Sequence, residues 1–320
     1  MTNQTSNQEY VHAVAASPAF SRDGLCWAAR SSGLYRSDDG GHNWQAVSIQ
    51  PDLTAPLPCA AVAVSPSFVT DRTLFAGAPG AVARSEDGGQ HWQLVALTAP
   101  PPFVSALAVS PDYAQDGTVF AGSVEDGVFR SADRGLHWAA WNFGLLDLNV
   151  LALAVSPDYA RDETLFAATD SGVFRSITGG RAWREVDSGA EGARSTDFAP
   201  VLSLALSPTY ADDGIVFAGT EEHGLFRSAD RGSTWTRLGA DTVVGAVNAI
   251  VLAADYPRQR HILALLNDTL LVSRDDGATW TEWQPGWHPP AALTCVAAPL
   301  GIEPGAPLLV GTADGQVMRI

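Results

Sequence analysis

The stretch Ser37-Asp38-Asp39-Gly40-Gly41-His42-Asn43-Trp44 decides how this chain is read, because the sequence keeps returning to it. The pattern Ser-x-Asp-x-Gly-x-x-Trp recurs as Ser85, Asp87, Gly89 and Trp92, and again as Ser131, Asp133, Gly135 and Trp138. It returns as Ser228, Asp230, Gly232 and Trp235, and as Ser273, Asp275, Gly277 and Trp280. A further copy keeps Ser176, Gly180 and Trp183 but has Thr178 in the acidic position. Successive box tryptophans lie 45 to 52 residues apart, a period of repeated supersecondary units. Six of the ten tryptophans are used this way, so the box speaks first of architecture.

Each part of the box suits a tight turn. The Ser hydroxyl and Asp carboxylate accept hydrogen bonds from nearby backbone N–H groups. The Gly takes positive φ at little cost, and the Trp opens the next strand with a large plate to bury. A calcium loop needs further carboxylates and a downstream Glu at fixed positions, and no copy supplies them. The box is therefore expected to clamp a hairpin.

Around each box stand four short strand signals. In the third unit these are residues 104–110, 118–122, 128–131 and 138–141, divided by Pro, Gly and Asp. No long segment has period 3.6, so the chain reads as all-β. Units fall at about 11–48, 58–97, 103–142, 149–187, 200–239, 246–285 and 292–320, together a single domain. Repeats of this size close into a ring, which leaves only short protected edges. The expected fold is a seven-bladed β-propeller of four-stranded antiparallel blades. The seventh unit stops where a box should start, so either the N-terminal segment, residues 4–10, adds its fourth strand or that blade keeps three.

A second signature, Ser-Pro-x-(Phe/Tyr)-x-x-Asp, begins at Ser17, Ser65, Ser110, Ser156 and Ser207. Its Pro ends the innermost strand, its aromatic pins the loop and its Asp caps the return. Arg36, Arg84, Arg130, Arg175 and Arg227 precede box serines, where an Arg packs its stem and pairs with a neighbouring blade. His42, His91 and His137 sit inside boxes and read as turn fillers.

A formal charge of −16 argues against nucleic acid or an anionic membrane as the main partner. The three cysteines, Cys26, Cys59 and Cys295, are dispersed and odd in number, reading as buried apolar groups. The polar start, residues 1–8, has no signal-peptide core, and no apolar run is long enough to span a bilayer. A reduced, cytoplasmic setting is the expectation. No cofactor or metal is implied.

The boxes resemble the Asp-box, or BNR, repeats of sialidases, sortilin-type receptors, xyloglucan-degrading enzymes and photosystem II assembly factors. The resemblance runs from about Val11 to Ile320. It implies a β-propeller with the box between third and fourth strands, away from the usual ligand face. Sialidase chemistry would need an arginine cluster, a Tyr nucleophile with a Glu partner and an acidic proton donor. The arginines here follow the repeat instead, and no Arg-Ile-Pro-like motif is present. Xyloglucan-degrading relatives use two facing rings, whereas this chain has units for one. The single-ring assembly factors match in size and bind protein, but their basic patch has no counterpart in this acidic chain.

A unique site should break the repeat. The inter-blade connections and the second–third hairpins share one face and are uneven. They offer Arg194, Asp197 and Phe198, Trp141 and Phe143, Trp287 and His288, and Glu222 with His223. The leading expectation is a non-catalytic scaffold or assembly factor that binds another protein there, with Arg194, Phe198, Trp287 and His288 converging at the channel mouth. A second reading is a glycan-binding or glycoside-hydrolysing propeller whose partner is a saccharide.

Overall fold

Each repeat folds into one antiparallel sheet with its strands in chain order. In the third, Phe103–Val109 pairs with Val119–Val124, which pairs with Gly127–Ser131, which pairs with Ala139–Ala140. The computed structural model describes residues 9–50, 56–98, 101–186 and 200–320. Among these, six sheets have four strands and one has three. The innermost strands are Val11–Ala16, Ala61–Val64, Phe103–Val109, Val150–Val155, Val201–Leu206, Val247–Leu252 and Leu293–Ala297. Each touches the next and the last touches the first, so the seven blades close a ring.

Burial follows from that placement. Second strands such as Leu74–Ala78 and Leu165–Thr169 are buried throughout, sandwiched between neighbouring blades. The innermost strands are mostly half-buried because they border a central channel. The main inter-blade packing is aromatic. Trp27 meets Phe68 of the next blade edge-on at 5.2 Å, and Phe75 meets Tyr113 at 5.9 Å. Phe120 with Tyr159, Phe166 with Tyr210 and Phe217 with Tyr256 repeat the contact. Such pairs add about 0.5–1.5 kcal/mol each beyond area burial. At the corresponding second-strand positions, blade six has Leu263 and blade seven Leu309.

Two features differ from expectation. The loop after the Ser-Pro step contains a one-turn helix in five blades, such as Tyr113–Asp116, where only a loop was foreseen. Four residues are too few for a periodic signal, and the turn stops at a left-handed residue, Gly117. The seventh blade has three strands among the described residues, Leu293–Ala297, Leu309–Thr312 and Val317–Arg319; residues 1–8 lie outside them. Its seam with the first blade is sealed by Thr294 Oγ1 donating to the Val11 carbonyl (2.6 Å) and Arg319 Nη1 donating to the Gly40 carbonyl (3.1 Å).

Candidate functional site

The two repeated signatures meet on one face and lock together. In the first box, Ser37 Oγ donates to Asp39 Oδ1 (2.7 Å) and accepts from Gly41 N (2.9 Å). The same Asp39 oxygen accepts from His42 N (3.0 Å) and Asn43 N (2.9 Å). In the Ser-Pro signature, Ser17 Oγ donates to Asp23 Oδ2 (2.7 Å), whose other oxygen accepts from Leu25 N (3.0 Å). One bond then joins the two turns: Gly40 N donates to the Gly24 carbonyl (2.9 Å), as Gly88 N does to Arg72 and Arg134 N to Gly117.

This face is spent on the fold. Hydrogen bonds from Asn43 and Ser37 hold the Asp39 carboxyl far below its usual range. Burial alone would raise Asp87 and Asp133, but donors from His91 and Ser85, and from His137 and Ser131, hold both at about 2. Carboxyls so acidic cannot serve as proton donors near neutral pH. Thr178 takes over in the fourth blade, its Oγ1 accepting from Ala182 N (3.0 Å). Two box histidines pair with their own box, His91 Nδ1 and His137 Nδ1 each lying 2.6 Å from their Asp, whereas His42 Nε2 lies 3.2 Å from Arg319 Nη1 of the seventh blade. Arg175 reaches the next blade's Arg231 carbonyl (2.7 Å) and Arg227 pairs with Asp276 (3.1 Å), as read from sequence. Arg84 and Arg130 find partners in their own blades, Glu86 and the Trp141 ring, while also lying against the next blade: the Arg84 stem comes within 3.4 Å of where a Cβ on Gly135 would sit, and the Arg130 charge acts on Tyr159.

The opposite face holds the channel mouth. All seven innermost strands line a cavity of about 580 Å³. In six blades the innermost strand carries a bulge near its start, between Val11 and Ala13 in the first and between Val247 and Ala249 in the sixth. A bulge shifts the alternation that pattern reading relies on. Residues at or opposite these bulges therefore line the channel: His12, Ser105, Leu151, Leu202, Asn248 and Thr294. Their polar members also stitch blades together, Ser105 Oγ donating to Val150 O (2.5 Å) and Asn248 Nδ2 to Leu293 O (2.8 Å). Tyr10 and Phe103, both partly exposed, flank the mouth, and the Tyr10 ring lies 4.8 Å from that of His12. Burial lowers the His12 pKa against an opposing pull from Glu9, so its imidazole is neutral at neutral pH.

The sequence candidates scatter around this mouth. Arg194, Asp197 and Phe198 lie outside the described residues. Trp287 is half-buried against the core shared by blades five to seven, His288 is exposed, and neither borders the channel. Trp141 is a structural ring: Arg130 and Arg181 sit 4.4 and 5.5 Å from its centroid, and its carbonyl accepts from Trp183 Nε1 (2.8 Å). Phe143 is 81% exposed and its carbonyl accepts from Trp183 N, placing it beside the fourth blade's outer strand. Glu222 and His223 are exposed on the fifth blade's hairpin, where His223 bridges to Gly245 of the next connection. Sequence reading missed His12, Ser105, Asn248 and Thr294; a polar residue interrupting an apolar innermost strand was the available signal.

Among the described residues, no three His, Cys, Asp or Glu side chains gather as a metal site, and no helix is long and apolar enough to cross a membrane. Burial pushes the Cys26 and Cys59 thiols up to about 12 and Cys295 to about 11, so none is a thiolate nucleophile at neutral pH.

No protein-family model and no curated protein sequence matches this chain. Solved structures do. YCF48 bound to D1 peptide superposes with a TM-score of 0.69 at 14% identity, covering 98% of this chain and 93% of that one. A GH74 enzyme from Niastella koreensis gives 0.71 at 15% identity, covering 95% of this chain. The extracellular domain of a putative one-component system from B. thetaiotaomicron gives 0.69 at 14%, covering 98%. The chain spans 38% of that sensor domain and 51% of the GH74 enzyme. The likeness establishes the fold. It is a seven-bladed β-propeller shared by a peptide-bound protein, a glycoside hydrolase and a sensor domain, and function has to come from the site.

Proposed function

We propose that this propeller is a non-catalytic, protein-binding scaffold or assembly factor that works through its inter-blade face. The observation that carries the reading is the contrast in how carboxylates are used. Those of the box face are held by turn hydrogen bonds, whereas the other face surrounds an open channel with exposed side chains that the fold does not need. Leu146 at 81% and Val244 at 59% exposure join Tyr10 and Phe103 there. Apolar groups within a polar surround are what a recognition surface offers. The Asp-box resemblance and the YCF48 structure, which holds a peptide, support a polypeptide partner. The GH74 likeness keeps a saccharide as the competing ligand, and that enzyme's chain is about twice as long by coverage.

The test is capture from native lysate with the wild-type chain, a Phe103→Ser/Leu146→Asp/Val244→Asp variant and an Ile177→Asp/Leu136→Asp variant on the box face. A stoichiometric protein lost only by the first variant is the expected result. Loss only by the box-face variant, or a hit on a glycan array that the first variant abolishes, would overturn it.

A further inference from the structure

The 19 cationic side chains of this chain are all arginine; there is no lysine. They are confined with unusual consistency. Among the described residues, no arginine stands in a second–third hairpin or in an inter-blade connection. The boxes, the strands leading to them and the loops they lock onto hold most of them. The inter-blade face carries carboxylates with little counterweight: Arg237 Nη2 comes within 3.6 Å of where a Cβ on Gly224 of the fifth hairpin would sit, and Arg30 ends the first blade's second strand with its guanidinium over the Tyr35 ring. Glu125, Asp170, Glu221, Glu222, Asp268 and Asp314 belong to the hairpins of blades three to seven, and all six are exposed.

These hairpins border the channel entrance. Glu125 N is held by Asn149 Oδ1 (2.9 Å), next to the fourth innermost strand, and Glu221 N by the Pro200 carbonyl (3.1 Å), next to the fifth. The carbonyl of Asn267, beside Asp268, accepts from Leu293 N (2.7 Å) at the seventh. Inside that acidic arc lie the apolar walls Leu151 and Leu202 and the flanking rings Tyr10 and Phe103. The channel volume, about 580 Å³, is in the range that accepts a side chain or a small ligand.

We propose that the channel mouth docks a basic polypeptide segment, its Lys or Arg side chains over the acidic hairpins and one apolar side chain in the channel. This rests on the protein-binding reading above and names the partner's chemistry. Charge complementarity selects that occupant, because unneutralised carboxylates around the mouth repel acidic partners and speed encounter with cationic ones. An acidic or neutral apolar segment would leave those carboxylates facing it unpaired.

The test uses the full chain and three fluorescent hexapeptides: alternating arginine and leucine, alternating glutamate and leucine, and arginine alone. Affinity is read by anisotropy on wild type, on Glu125→Gln/Glu221→Gln/Glu222→Gln/Asp268→Asn, and on a box-face control, Asp38→Asn/Asp112→Asn/Asp212→Asn/Asp255→Asn. The arginine–leucine peptide should bind wild type best, weaken by about tenfold on the mouth variant and change little on the control. Its binding should fall as salt rises from about 0.05 to 0.15 M, and Phe103→Ser should weaken it while sparing the arginine-only peptide. Thermal melts confirm that each variant is folded. Equal weakening by both quadruple variants, tighter binding of the glutamate peptide, or no binding overturns the proposal. A lysate partner lost with the inter-blade variant, alongside no arginine–leucine binding, would leave the scaffold reading standing and remove only the basic partner.

Discussion

The two faces of this ring are built from similar residues used in opposite ways. On the box face, Asp39, Asp87 and Asp133 each collect donors from their own turn, and a bond from the box backbone locks it to the neighbouring loop. On the inter-blade face, Glu222 and Asp268 are exposed on hairpin tips. The comparison teaches that repetition marks what the fold requires, and that surface left free by the repeat is where a propeller can be specialised.

The largest test of that division is a cut at an inter-blade aromatic. Phe75 is fully buried, edge-on to Tyr113, and close to where a Cβ on the next box glycine, Gly135, would sit. Phe75→Ala should cost about 3–5 kcal/mol in chemical denaturation; a loss under about 1 kcal/mol would show that the aromatic pairs do not hold the seam. Next is Gly135→Ala. Its φ of 85° is unfavourable for alanine, and a Cβ would lie 2.7 Å from Phe75 Cε1. A loss of about 2 kcal/mol or more is expected.

Acid should act through the box face. Asp87 and Asp133 have folded values of about 2, below the unfolded value of ~4. Their contribution is present above pH ~4 and is lost as pH falls towards 2. Denaturant midpoints should therefore drop between those limits, and Asp133→Asn should flatten the drop. The smallest effect belongs to Thr178→Asp, which restores the missing carboxylate in blade four. It should shift stability at pH 7 by under about 1 kcal/mol and add to the acid sensitivity; acid sensitivity identical to wild type would show that box carboxylates do not set it.

Much of the ring was legible because its cues are local. Ser, Asp, Gly and Trp at fixed spacing force one turn, and the Ser-Pro step with its capping Asp forces another, so blade order and number follow from counting. Even the diverged sixth unit obeys, since Tyr256 keeps its place on Phe217 although the Ser-Pro step before it is lost. The site was not legible for two physical reasons. Bulges decide which innermost residues line the channel, and they arise from pairing between strands rather than from any one strand's pattern. Trp141 was conspicuous among loop residues, yet its ring is occupied by Arg130 and Arg181, a contact spanning two blades that no local pattern shows.

The most direct measurement sets two double variants side by side in thermal unfolding at neutral pH. Asp87→Ala/Asp133→Ala removes carboxylates the turns depend on, and Glu222→Ala/Asp268→Ala removes the same charge from the hairpins of the channel mouth. The first should lower Tm by several degrees, at about 1 kcal/mol for each lost set of turn bonds. The second should leave Tm unchanged or raise it by relieving like-charge repulsion. A mouth pair that costs as much as the box pair would contradict the division of labour between the two faces.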